Sequence, residues 1–310
     1  MNFNFNFVGR RKWWYALSLL VIIPGIIAMA LHRPALNFGI DFTGGNIIQV
    51  RFQQPVSAGQ VRDVLGGLNL DKSSIQAAGN NEFLIRTPEL NEEQTEKLIS
   101  ALRDKLGQLD LKRNEKVGAT IGRELTIKGI EAMAIAWVLM IIYITIRFEF
   151  LSGLAAIVAL IHDVLVTIGF FAIFRWEVDS TFVAAILTII GYSINDTIVI
   201  FDRIRENLRL RRKETIEELV NRSINQSLTR SIYTALTVIF TLLALMLLGG
   251  ETTRNFALAM LIGTISGAYS TIFVASPLWI DLRNISRERH RQAAVTRADT
   301  KAKTRKATSH

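Results

Sequence analysis

The sequence predicts a polytopic α-helical membrane protein with six transmembrane helices and one small α/β domain outside the membrane. Three observations lead there. Half of the 310 residues are hydrophobic, and the charged ones crowd into a few stretches while nearly vanishing from others. Six of the depleted stretches come close to the ~20 apolar residues that a helix needs to cross a ~30 Å hydrocarbon core. A single long polar segment separates the first of these from the second. A mean hydropathy of +0.29 beside a net charge of +9 then describes segregation, not a soluble protein with a large core.

The first span, 13–31, follows Arg10, Arg11 and Lys12 in the short N-terminal segment 1–12. This start looks like a signal peptide, but its apolar run exceeds a signal core. His32, Arg33 and Pro34 follow it in place of a small-residue cleavage site, so it reads as a retained helix. The other spans are 128–147, 150–174, 180–202, 231–250 and 255–281. Basic residues orient them. The N-terminus carries three, the turn after the second span has Arg147, the loop 203–230 has eight and the tail 282–310 has nine. The short loops on the opposite side hold only Arg175 and Arg254. By the positive-inside rule both termini are cytoplasmic and 32–127 is extracytoplasmic, since long domains translocate largely regardless of charge. From 286 the tail is polar and basic and reads as disordered near anionic headgroups.

Within 32–127, Asn46–Phe52 places Ile48, Val50 and Phe52 on one side of a strand. Ser57 and Gln60 form a capping box ahead of Val61, Val64, Leu65 and Leu68 at helical spacing. Glu82–Thr87 reads as a strand around Phe83 and Ile85. Asn91 and Gln94 cap a second helix with the stripe Leu98, Ile99, Leu102 and Leu106. A last strand over Leu109–Val117 completes an order close to β-α-β-β-α-β, a ferredoxin-like arrangement.

The chemistry-bearing residues are charges where charge is expensive. Asp163 lies mid-way through the third span and Asp196 within the fourth, each at a cost of about 2.5–3.5 kcal/mol unless it faces the bundle interior with a partner or a proton. Two readings stay open for both: a hydrogen-bond cluster that packs helices, or an ion or proton relay. Thr188, Tyr192, Asp196 and Arg203 recur along one polar face of the fourth span, flanked by Ser193 and Asn195. Arg230 abuts the fifth span and reads by itself as an interfacial anchor. His162 points about 100° away from Asp163 on an ideal helix and is placed to meet a neighbouring helix. Gly263 and Gly267 favour close helix contact in the sixth span. No phosphate-binding loop, histidine metal cluster or nucleophile elbow occurs, and with no cysteine there are neither disulfides nor thiolate metal sites. An enzyme is not predicted, nor a metal, a nucleic-acid partner or any cofactor. Mechanical or transport work would draw on an ion gradient or a partner.

Three segments carry a resemblance. Gly39-Ile-Asp-Phe-Thr-Gly-Gly45, Val117-Gly-Ala-Thr-Ile-Gly-Arg-Glu-Leu125 and Gly191-Tyr-Ser-Ile-Asn-Asp-Thr-Ile-Val-Ile-Phe-Asp-Arg-Ile-Arg-Glu-Asn207 resemble the SecD/SecF family of protein-export membrane proteins, in its SecF members. The order of segments fits from residue 9 to about 285. The resemblance implies half of a resistance-nodulation-division bundle in the inner membrane, six helices pairing pseudo-symmetrically with six in SecD. It implies work with the SecYEG channel on unfolded exported proteins, driven by the proton-motive force. It also implies a proton relay in which Asp196 is the family's membrane aspartate and Arg230 its arginine partner. Asp163 is a further candidate in that relay, with Tyr192, Asn195 and His162 in support, and Gly39, Asp41, Gly44 and Gly45 mark the extracytoplasmic motif. The companion acidic residue belongs to SecD, so the proton path is incomplete within this chain. The alternatives are half of a small-molecule exporter of the same superfamily, and a non-motor assembly subunit.

Overall fold

The computed structural model describes residues 5–289 and 292, apart from 72, 80, 148, 211 and 212. Most of the basic tail lies outside the described residues. In chain order the elements are α1 (Arg11–Leu31), β1 (Asn37–Phe38), α2 (Ile40–Thr43), β2 (Gly45–Phe52), α3 (Ala58–Gly66), β3 (Ser74–Gly79), β4 (Glu82–Thr87) and α4 (Glu92–Leu106). They continue with β5 (Leu109–Val117), α5 (Ala119–Arg147), α6 (Phe150–Phe174), β6 (Glu177–Val178), α7 (Ser180–Arg209), α8 (Ile216–Leu248) and α9 (Glu251–Ser270). The chain forms two compact units, one of Met1–Ala35, Ala136–Arg175 and Ala184–His310, the other of Leu36–Ile135 and Trp176–Val183.

Among the described residues six helices are long and apolar enough to cross a membrane. Several of them overrun the spans read from hydropathy. α5 begins at Ala119, inside the segment assigned to the polar domain. α7 runs on to Arg209 and α8 starts at Ile216, so most of 203–230, expected as a loop, is helix. Two devices hold those ends. Thr215 and Glu218 close a capping box at the start of α8. Buried Asn207 donates to Ser223 Oγ at 2.7 Å and to Gln226 Oε1 at 2.9 Å, tying the end of α7 to α8. The last span continues past α9 to Arg289, four residues into the stretch expected to be disordered.

That last helix passes through a π turn over Thr271–Ala275. Pro277 explains it: a proline in a helix lacks the N–H and crowds the carbonyl four residues earlier, here that of Phe273, inside the π turn. The core beside this turn gathers Ile200, Phe201, Leu219, Val220, Ile224, Trp279 and Ile280. Phe7 and Val8, ahead of α1, are buried in the same cluster, and Phe7 N donates to Asn221 Oδ1 at 2.8 Å. α1 and α6 cross at glycines. A Cβ on Gly25 would stand 2.5 Å from Gly169 Cα, and one on Gly169 3.2 Å from Gly25 Cα, so a side chain at either glycine would press on the other backbone. Outward-facing side chains such as Leu20, Ile146 and Leu248 are exposed, the surface a bilayer or partner helices would cover.

In the second unit, β2, β3, β4 and β5 form an antiparallel sheet in the order β3-β4-β2-β5, the ferredoxin-like arrangement. Its core is Ile48, Val50, Phe52, Phe83 and Ile85 from the sheet against Val61, Leu65, Leu98 and Leu102 from α3 and α4. Both capping boxes are formed. β3 is the strand that the sequence hid, because Ile75 is its one large apolar residue. Beside the main sheet, β1 pairs in parallel with β6.

Candidate functional site

Asp163, on α6, is fully buried, and its carboxylate gathers four donors. Ser193 Oγ of α7 donates to Oδ2 at 2.6 Å, and Ser270 Oγ of α9 donates to the same oxygen at 2.8 Å. Ser266 Oγ, one turn earlier on α9, donates to Oδ1 at 2.7 Å, and His162 Nδ1 shares that oxygen at 3.0 Å. A carboxylate has about four lone-pair positions, so this one is saturated. A proton arriving here would have to eject a donor.

The network runs outward through His162. Its Nε2 is 3.1 Å from Ser18 Oγ on α1, and its ring stacks on Tyr269 with centroids 5.8 Å apart. Tyr269 Oη in turn donates to Trp14 O at 2.7 Å. With Nδ1–H donating to Asp163 and the Tyr269 hydroxyl donating to the Trp14 carbonyl, the Ser18 hydroxyl stands within reach of both His162 Nε2 and Tyr269 Oη, the latter at 3.3 Å. His162 therefore meets both its neighbour Asp163 and a second helix. The sequence supplies the geometry simply. Ser266 and Ser270 are four apart and share one face of α9. Gly263 and Gly267 let that face come close to α7: a Cβ at Gly267 would be 3.2 Å from Ser193 Cβ.

Asp196, one turn further along α7 than Ser193, is in the opposite condition. It is also buried, but its Oδ2 has no hydrogen-bond partner. Arg230 acts on it as a charge beyond ion-pair distance. The Tyr192 hydroxyl lies beside Thr234 of α8 without closing a hydrogen bond, and buried Ser231 Oγ is likewise unpartnered. Unpartnered buried polar atoms thus occur on both α7 and α8. Asn195 is not part of it. That residue is exposed and lines a mostly apolar groove of about 490 Å³ between α5 and α7, with Leu139, Tyr143, Leu187 and Gly191.

The Gly-Gly motif serves local architecture. Gly44 and Gly45 have φ of +71° and +125° and carry the chain out of the single turn α2 into β2. A Cβ on Gly45 would collide with the Thr87 carbonyl. Asp41 accepts from Ser180 N at 2.8 Å and also from the Ser180 hydroxyl, adding a carboxylate at the start of α7. Gly39 N donates to Val178 O at 2.8 Å, and a Cβ there would press on Glu177, which is ion-paired with Arg86.

Comparison with known proteins gives the same direction throughout. The family model described as "Protein export membrane protein SecD/SecF, C-terminal" matches residues 97–285, and "SecD/SecF GG Motif" matches 33–56. The protein translocase subunit SecF of Acidaminococcus fermentans is 46% identical over 288 residues, covering 90% of this chain and 98% of that one. The SecF of Magnetococcus marinus is 42% identical over 284 residues, covering 89% and 91%. The crystal structure of SecDF from Thermus thermophilus, described as a translocon-associated membrane protein, superposes with a TM-score of 0.84 at 36% identity over 91% of this chain. A super-membrane-facing form of SecDF superposes at 0.69, with 35% identity over 95%. The chain spans about two fifths of those solved chains, 39% and 40% of their lengths.

Proposed function

The chain belongs to the SecD/SecF family of protein-export membrane proteins, and from that premise we propose that it is the SecF-type half of an ion-driven device that advances and releases exported polypeptide. It is a multi-pass membrane protein of the Sec export pathway. In this reading a SecD-type half supplies the remainder found in the longer SecDF chains, and the partners are the SecYEG channel and the unfolded protein emerging from it. The termini lie in the cytoplasm, and the sheet-bearing unit works outside the inner membrane.

Asp196 is the proton-carrying group in this proposal, with Arg230 as its charge partner. One observation carries the choice: Asp196 has a buried carboxylate oxygen with no donor on it, whereas every acceptor position of Asp163 is filled. A proton can join the first without breaking anything. Asp163, a relay candidate by sequence, is assigned here to holding helices together. A charge crossing the membrane field is worth ~2.3 kcal/mol per 100 mV, enough to bias two conformations if a site titrates. The experiment is gradient-stimulated release of an exported protein from vesicles holding the complex. Asp196→Asn keeps shape and cannot titrate, so assembly should be normal and the stimulation absent. Stimulation that survives in the Asn variant overturns the assignment.

A further inference from the structure

The two edges of the four-stranded sheet are built oppositely. β5 carries Asp110, Lys112, Arg113, Glu115 and Lys116 in nine residues, and charge along an edge discourages a foreign strand from pairing. β3 reads Ser-Ile-Gln-Ala-Ala-Gly, with no charge, and all of it but Ile75 is exposed. Among the described residues it hydrogen-bonds only to β4, so its other side presents main-chain donors and acceptors. Apolar surface accompanies them. Leu68 and Leu70, in the connection from α3, and Ile75 within β3 pack on the core and stay part-exposed. Ile75 and Ala77 are in register with Ile85 and Phe83, whose side chains face the helices. A strand added here would send alternate side chains onto that same face, next to Leu68 and Leu70.

We propose that β3 is a docking edge for exported polypeptide in extended form, which joins the sheet as a fifth strand. This rests on the export reading above and names the surface that takes hold of the client. An unfolded chain is the occupant that fits. Main-chain pairing supplies affinity without demanding a sequence, as a component serving many clients requires, and small uncharged edge residues reject few side chains.

The test uses the purified full chain in lipid nanodiscs and a synthetic probe of alternating valine and threonine. A second probe has the same sequence with alternate amides N-methylated, which keeps the side chains and removes the ladder. Amide hydrogen exchange is followed over Ser74–Gly79. At ten times its dissociation constant the plain probe should slow exchange there about tenfold, and the methylated probe should not. Gln76→Lys should weaken protection by placing a charge on the edge. Equal protection by both probes overturns the proposal, as does protection confined to β5. So does an edge already protected in the purified chain before any probe is added. The export reading fails separately, if vesicles holding the parent complex show no gradient-stimulated release of an exported protein. That result leaves the probe's protection of β3 unaffected.

Discussion

Two aspartates that hydropathy ranks alike differ in what surrounds them, and the difference gives opposite expectations. Asp163→Asn removes the charge from four hydrogen bonds at once and turns two acceptor positions into donors facing serines. Hydrogen bonds to charged groups are worth about 1.5–3 kcal/mol each, so thermal unfolding in detergent should shift clearly downward. Asp196→Asn relieves a buried carboxylate with an unpartnered oxygen and should leave the midpoint unchanged or raise it. An Asp163→Asn variant as stable as the parent would remove its role as the tie between helices. The sequence disclosed both carboxylates because charge in an apolar run is conspicuous. It did not disclose Ser193, Ser266 and Ser270 as the donors to Asp163, or Ser18 as the partner of His162, since serine in a membrane helix is equally at home as a small packing residue. The signal was present only as a spacing of four on α9, opposite an aspartate whose position was unknown.

Elements were legible where side chains announce their backbone. Ser57 with Gln60 and Asn91 with Gln94 marked two helix starts to the residue, and Ser57→Ala or Asn91→Ala should each cost about 1 kcal/mol. Faster hydrogen exchange confined to the first turn of α3 or α4 would register it. β3 escaped because an edge strand with one large apolar residue has no alternation to read. The helical extensions beyond the membrane escaped too, since polar helices such as the start of α8 lack the apolar run that hydropathy detects. Glycine spacing was legible in α9 but not across α1 and α6, where the partners lie far apart in sequence. Gly25→Val or Gly169→Val should force those helices apart at a cost of about 1–3 kcal/mol or more, and should lower the yield of folded protein in mild detergent. Normal yield and melting for Gly25→Val would contradict the close crossing.

For the whole molecule, the absence of cysteine makes orientation directly measurable. A cysteine at Glu96 should react with an impermeant maleimide from outside intact cells, whereas one at Lys213 should react only after permeabilisation. The reverse pattern would invert the topology proposed here. The saturated carboxylate also has a history in time. Its donors are separated from Asp163 by 30 positions for Ser193, 103 for Ser266 and 107 for Ser270. Ribosomes add about 5–20 residues per second, so the second α9 hydroxyl is synthesised about 5–20 s after the aspartate it satisfies. During that interval the nascent third span holds a carboxylate short of two donors, and a chain that stops before α9 never completes the set. Biogenesis of this protein therefore has a late closing step: α9 must arrive before α6 becomes a settled part of the membrane.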